Sequence, residues 1–259
     1  MIYRWNGARL VECAEPSTPP DVVDSWVHRD GHRCATEARH RERFAANVPG
    51  AGEFLDAVFA HPWPTEQAWF PRIEAHGHDL YLRVRSAPPV RTTTVLWIPP
   101  DPDPRRVPGV KGPDLAVLGE LRRQAQSFGA DDALLWTPDR LGRLVAEAAN
   151  SAVAWWEDDH LMFPQHPGQL PSVTAGATAD MISGVGSRPI TVEELMACPV
   201  WAGSALHGWT EVVGWVGPAG ECASGRPGGH ADDGGAGVDV AAVGVRVAAL
   251  SAVNSGTGP

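Results

Sequence analysis

Residues 110–164 read VKGPDLAVLGELRRQAQSFGADDALLWTPDRLGRLVAEAANSAVAWWEDDHLMFP, and their pattern decides the fold class. Leu115, Leu118 and Leu121 recur at near-helical spacing, Asp114 stands where a helix N-cap would, and Gly129 where a helix should stop. Short apolar runs follow, ALLW, RLVAEA, AVAWW and HLMF, the last two separated by a turn at Glu157-Asp158-Asp159. A further helix is expected after LPSVT (170–174). One amphipathic helix among many short strands predicts an α+β domain with a strongly curved sheet.

Upstream lies IPPDPDPRRVPGV (98–110), whose five prolines block helix and central strand alike. It reads as an interdomain linker between residues 1–97 and 111–216. In the first part, IYRWNG and ARLVE predict a hairpin around Asn6-Gly7. TEARHRERFAAN (36–47) predicts a helix, and DLYLRVR (79–85) and TTTVLWI (92–98) predict strands. Downstream, residues 217–259 hold 11 Gly, 9 Ala and one Leu, with no Phe, Trp, Tyr or Ile. So little bulky apolar material cannot offset the entropy of ordering, so this tail is expected to be largely disordered.

The chain of 259 residues is 43% hydrophobic and 20% charged, an ordinary globular balance with room for a sizeable core. Its formal charge of −10 argues against a nucleic-acid or anionic-membrane partner, which would need a basic patch. No apolar run approaches the ~18 residues of a membrane span, and the N-terminus lacks a signal pattern. Cys13, Cys34, Cys198 and Cys222 are widely spaced and read as free thiols of a cytoplasmic protein. His76-Gly77-His78 lacks carboxylate or cysteine partners at ligand spacing, so no metal site is expected.

Of 21 basic residues, 20 are arginine and one is lysine, Lys111. Most surface lysines can become arginine at little cost. An amine nucleophile cannot, because guanidinium stays protonated and forms no Schiff base. A solitary lysine is therefore either a remnant or a position where amine chemistry is required.

Its neighbours favour the second reading. Lys111 opens the helix, Glu147 follows 36 positions on in LVAEAA, then come Leu170 to Ala175 (LPSVTA) and Ala202 to Ala205 (AGSA). This ordered series resembles the class IV group of pyridoxal-phosphate enzymes, which includes branched-chain and D-amino-acid aminotransferases and aminodeoxychorismate lyase. RWNGARLV is similar to that group's opening hairpin, and His40-Arg41-Glu42-Arg43-Phe44 to its H-x-x-R-L helix. The resemblance covers about residues 1–216. It implies a two-domain α+β fold, with a smaller N-terminal α/β domain and a C-terminal PLP-binding domain built on a curved, pseudo-barrel sheet.

The resemblance also implies roles. Lys111 would form the aldimine with pyridoxal 5′-phosphate and shuttle the substrate proton. Glu147 would keep the cofactor's ring nitrogen protonated, as an electron sink requires. Arg43 and the turns at Val173-Thr174 and Ser204-Ala205 would hold the phosphate. It implies transfer of an amino group between an amino acid and a 2-oxo acid, and a homodimer. The lyase reaction, releasing pyruvate and 4-aminobenzoate from a chorismate-derived substrate, uses the same lysine and stays open.

Substrate recognition is read from the residues. Strand alternation puts Tyr81, Arg83 and Arg85 on one face, where two guanidiniums could bind a carboxylate, or where they could simply be solvated. The group's G-x-G-x-F-E segment is replaced here by a region containing Asp24-Ser25-Trp26, and its arginine after the L-x-G-I-T turn by Ala175. Those departures, with the tail, leave room for a non-catalytic binding module.

Overall fold

A computed structural model describes residues 1–29, 34–64 and 67–222. The chain divides into two compact units: Met1–Val90 with Arg106–Leu115, and Arg91–Arg105 with the chain from Ala116 onward. The expected disorder of 217–259 falls almost wholly on residues outside those described.

The first unit is a five-stranded antiparallel sheet flanked by two helices. Strands β1 (Ile2–Trp5) and β2 (Leu10–Glu12) form the expected hairpin, with Trp5 opposite Leu10. Asn6 closes it: its side-chain oxygen accepts from the N–H of Ala8 and Arg9, while Gly7 takes φ +91°. β3 (Val22–Ser25), α1 (Glu37–Ala45), α2 (Gly52–Phe59), β4 (Arg72–His76) and β5 (Asp79–Arg83) complete the unit in the order β2-β1-β5-β4-β3. Trp26, Phe44, Phe54, Leu55, Val58, Ile73 and Leu82 form its core. Each such side chain contributes roughly 1.5–3 kcal/mol on burial, enough to fix α1 and its polar residues over β3.

The second unit carries β6 (Thr93–Trp97), β7 (Asp132–Asp139), β8 (Gly142–Ala148), β9 (Ala152–Glu157), β10 (His160–Pro164), β11 (Val185–Arg188), β12 (Val200–Ser204) and β13 (Gly208–Val216). These pair in the order β11-β10-β9-β12-β13-β6-β7-β8. Val145 of β8 donates to Ile190 O at 2.9 Å, and Leu144 bridges to Thr191, just beyond β11. The two edges of the sheet are thereby joined, giving the expected strong curvature as a curled half-barrel. Helices α3 (Leu115–Ser127), α4 (Val173–Met181) and α5 (Val192–Met196) connect the strands. α3 ends where expected: Gly129 adopts φ +79° and Ala130 N–H returns to Ala125 O.

Asp114 does not act as the expected cap. Its carboxylate accepts from the backbone N–H of Arg106 and Val107, tying the proline-rich run to the start of α3. Eight of the eleven tryptophans are buried, and they fill the cores of the two units.

Candidate active site

In the first unit, Lys111 is held by its backbone. Its carbonyl accepts from Val23 N–H of β3 at 2.6 Å. The next residue, Gly112, takes φ +155°, and a Cβ there would collide with the Asp21 carbonyl and Val22 Cα. Only glycine lets the chain lie this close to β3, so the lysine's position is set by its neighbour.

One residue along β3, Asp24 is fully buried. Its carboxylate takes a bidentate pair from Arg43 Nε and Nη2 at 2.8 and 2.7 Å, and a contact with His40 Nδ1 at 2.8 Å. Burial alone would raise the Asp24 pKa, but His40 and Arg43 together hold it well below the usual carboxylate range. Burial works equally against charge on His40, yet Asp24 and Cys34 raise its pKa. Arg43 and Lys111 are thus placed from one strand, through a side chain and through the backbone respectively.

The face carrying Tyr81, Arg83 and Arg85 is not a row of open cations. Glu74 on β4 is buried beneath it and meets Arg72, Arg83 and His76. Arg83 is shared between Glu74 and Glu15, and its pKa is raised. Tyr81 is buried with its ring edge-on to His76. Arg85 differs. It donates to Phe70 O at 3.1 Å and to Ser25 Oγ at 3.4 Å, and its guanidinium lies 5.0 Å over the Phe70 ring. Among the described residues it forms no ion pair with a carboxylate. Burial, then repulsion from Arg72, pushes its pKa down to about 10. Of the two guanidiniums on this face it has the more to gain from an arriving anion.

In the second unit, Glu147 of β8 is 5% exposed. Its Oε1 accepts from Arg105 Nη1 at 2.6 Å and from Leu170 N–H at 2.9 Å. Arg105 also chelates Asp103 and donates to Gly168 O at 2.8 Å. Burial opposes charge on Arg105, and the two carboxylates outweigh it, raising its pKa. The proline-rich run therefore delivers a buried arginine to the motif glutamate.

Leu170 connects this carboxylate to the start of a helix. Three residues on, α4 begins, with Ser172 as N-cap accepting from Ala175 N–H at 3.2 Å. Among the described residues the amides of Val173 and Thr174 make no hydrogen bond, as first-turn amides usually do not. Their partial positive charge suits an anion.

The second small-residue turn joins β12 to β13. Ser204 Oγ accepts from His207 N–H at 3.1 Å, so the hydroxyl braces its own turn. His207 is in turn held by Arg91, which reaches both ring nitrogens, and burial together with Arg91 lowers its pKa to about 4. Trp209, directly opposite Gly203 in the β12–β13 register, packs on that glycine and donates to Thr178 of α4. Val173, Thr174, Ser204 and Ala205 thus share one connected region of the second unit.

Asp24 and Arg105 escaped the sequence reading. Each had a signal. Asp24 is a lone carboxylate in the apolar strand VVDSW, 19 residues before the motif arginine, and Arg105 lies in a proline-rich run with no other apparent purpose for buried charge.

Comparison with known proteins bears on this arrangement. The model of the family described as amino-transferase class IV matches residues 64–215. No curated protein matches the sequence. Among solved structures, a hypothetical aminotransferase from Mycobacterium tuberculosis in a PLP-bound form is 17% identical, with 99% of this chain and 98% of that chain covered at TM-score 0.67. A fold IV-transaminase from Curtobacterium pusillum is 18% identical, covering 95% and 92% at 0.68. A protein provisionally assigned as a 4-amino-4-deoxychorismate lyase is 16% identical, covering 78% and 89% at 0.65. At these identities the structural likeness concerns the fold.

Proposed function

This chain belongs to the class IV amino-transferase family, and we propose from that premise that it binds pyridoxal 5′-phosphate and transfers an amino group between an amino acid and a 2-oxo acid. The observation that carries the reading is the short span from Leu170 to Thr174. At one end it donates to a buried, arginine-paired carboxylate, and at the other it presents open helix amides. A pyridinium needs the first and a phosphate the second, so the residues present fit the cofactor.

When bound, the cofactor supplies an electron sink that lets a substrate Cα–H bond ionise. The chain's own residues have separate tasks. Lys111, the one side-chain amine of the chain, would hold the cofactor, and its Nζ would move the proton at the substrate Cα. Arg105 orients Glu147, whose carboxylate would hold a proton on the ring nitrogen. The amides of Val173 and Thr174, with Ser204 and Ala205, would bind the phosphate in the second unit, and in the first unit Asp24 fixes the fork of Arg43, a further anion-binding cation. Arg85 takes the substrate carboxylate, because its guanidinium is half-buried and has only neutral acceptors. Tyr81 and Arg83 support that face, Arg83 through Glu74 and Glu15.

A homodimer in the cytoplasm belongs to the same proposal. No helix of the described residues is long and apolar enough to cross a membrane. The deciding experiment loads the protein with pyridoxal phosphate and offers amino-acid donors with 2-oxo acid acceptors. A new amino acid is the expected product. Release of 4-aminobenzoate from aminodeoxychorismate, without transfer to any acceptor, would replace this reading with the lyase.

A further inference from the structure

We propose that Trp209 is a positioning residue that couples the two anion-binding turns of the second unit, so that the phosphate grip of each depends on the other. The proposal rests on the pyridoxal-phosphate reading above and adds a residue to it.

The coupling is built at both ends of one indole. At the first end, Trp209 lies opposite Gly203 in the β12–β13 pair. A Cβ added at Gly203 would fall 2.6–2.7 Å from Cζ3, Cε3 and Cη2 of the indole. The ring therefore rests on bare backbone, immediately before Ser204 and Ala205. At the second end, Trp209 Nε1 donates to Thr178 Oγ1 at 2.8 Å. Thr178 Oγ1 donates in turn to Thr174 O at 2.8 Å. Thr174 belongs to the turn that opens α4.

Both intermediaries are out of water: Thr178 is 0% and Trp209 5% exposed. The first of these hydrogen bonds is buried and the second part-buried, and they run in one direction, N–H to O–H to C=O, each polarising the next. The indole is also fixed from outside. Trp156, Trp201, Phe163 and Ala175 pack in the same apolar cluster, and the Phe163 and Trp209 ring centroids are 6.1 Å apart. A ring so confined cannot follow one turn without moving the other. Phenylalanine would keep most of the packing and lose the donor. That is what separates a coupling role from simple core filling.

The phosphate grip is isolated by titrating the protein calorimetrically with pyridoxal 5′-phosphate and, separately, with pyridoxal. The ratio of the two affinities reports the phosphate alone. The native protein is expected to prefer the phosphorylated form. Trp209→Phe should reduce that ratio about fivefold or more, as the loss of one buried hydrogen bond implies, while pyridoxal binds within about twofold of native. Thr178→Val should act in the same direction, and Thr178→Ser, which keeps the hydroxyl, should restore the native ratio.

A native ratio in Trp209→Phe overturns the proposal. If far-UV circular dichroism shows that variant unfolded, the Thr178 pair decides: a native ratio in Thr178→Val overturns it, and a loss rescued by Thr178→Ser supports it. A native protein that binds both compounds equally defeats the phosphate-cradle reading itself. One that discriminates, beside variants that discriminate equally well, defeats only the coupling.

Discussion

Replacing Arg105 with methionine would leave two buried carboxylates without the cation between them. The Arg105 side chain is 4% exposed, and those of Asp103 and Glu147 are each 6% exposed. At an effective dielectric of about 20, a pair of unit charges about 4 Å apart is worth ~4 kcal/mol. Arg105 holds two such pairs, and its removal adds repulsion between the carboxylates. Relaxation offsets part of this, so the expected net loss is about 3–5 kcal/mol, a large share of the ~5–15 kcal/mol that holds a domain together.

Urea unfolding followed by tryptophan fluorescence near pH 7 should show that deficit against native. Adding Asp103→Asn should recover part of it by removing one of the two charges. A variant within about 0.5 kcal/mol of native, or no recovery on adding Asp103→Asn, would refute the reasoning.

Asp24→Asn should cost about 3–5 kcal/mol, because Arg43 and His40 lose a buried partner; unfolding free energies near pH 7 measure it. In the native protein the raised pKa of His40 means that its charged pairing with Asp24 contributes fully below about pH 6.5 and is lost as pH rises through the folded value. A stability decline on that alkaline side should therefore disappear in His40→Gln. Gly112→Ala should destabilise the protein by about 1–3 kcal/mol through backbone strain and slow cofactor capture at Lys111, read by stopped-flow absorbance. If Arg85 takes the substrate carboxylate, Arg85→Met should raise KM for the amino donor about tenfold or more, with cofactor affinity unchanged; an unchanged KM would remove that role.

Local chemistry in the sequence foretold local structure well. Asn6-Gly7 announced its hairpin, and the leucine spacing with Gly129 announced α3 and its end, because the partners lie within a few residues. Strand alternation placed Tyr81, Arg83 and Arg85 but could not show Glu74 and Glu15 meeting Arg83, since those come from other segments. Arg105 reaches Glu147 across 42 residues, and Asp24 reaches Arg43 across 19. Such pairings follow from tertiary topology and leave no periodicity to read. Asp114 shows the same limit at short range: its carboxylate turned to Arg106 and Val107 amides because the proline-rich run folds back onto it.

Lys111, the sole lysine of the chain, is the proposed carrier of the cofactor. Borohydride reduction of the protein incubated with pyridoxal 5′-phosphate, then cleavage at arginine and mass spectrometry, tests it most directly. One stable phosphopyridoxyl adduct is expected, on the peptide from Val107 to Arg122 and located at Lys111. An adduct confined to the Met1 amine, or none on any peptide, would contradict it.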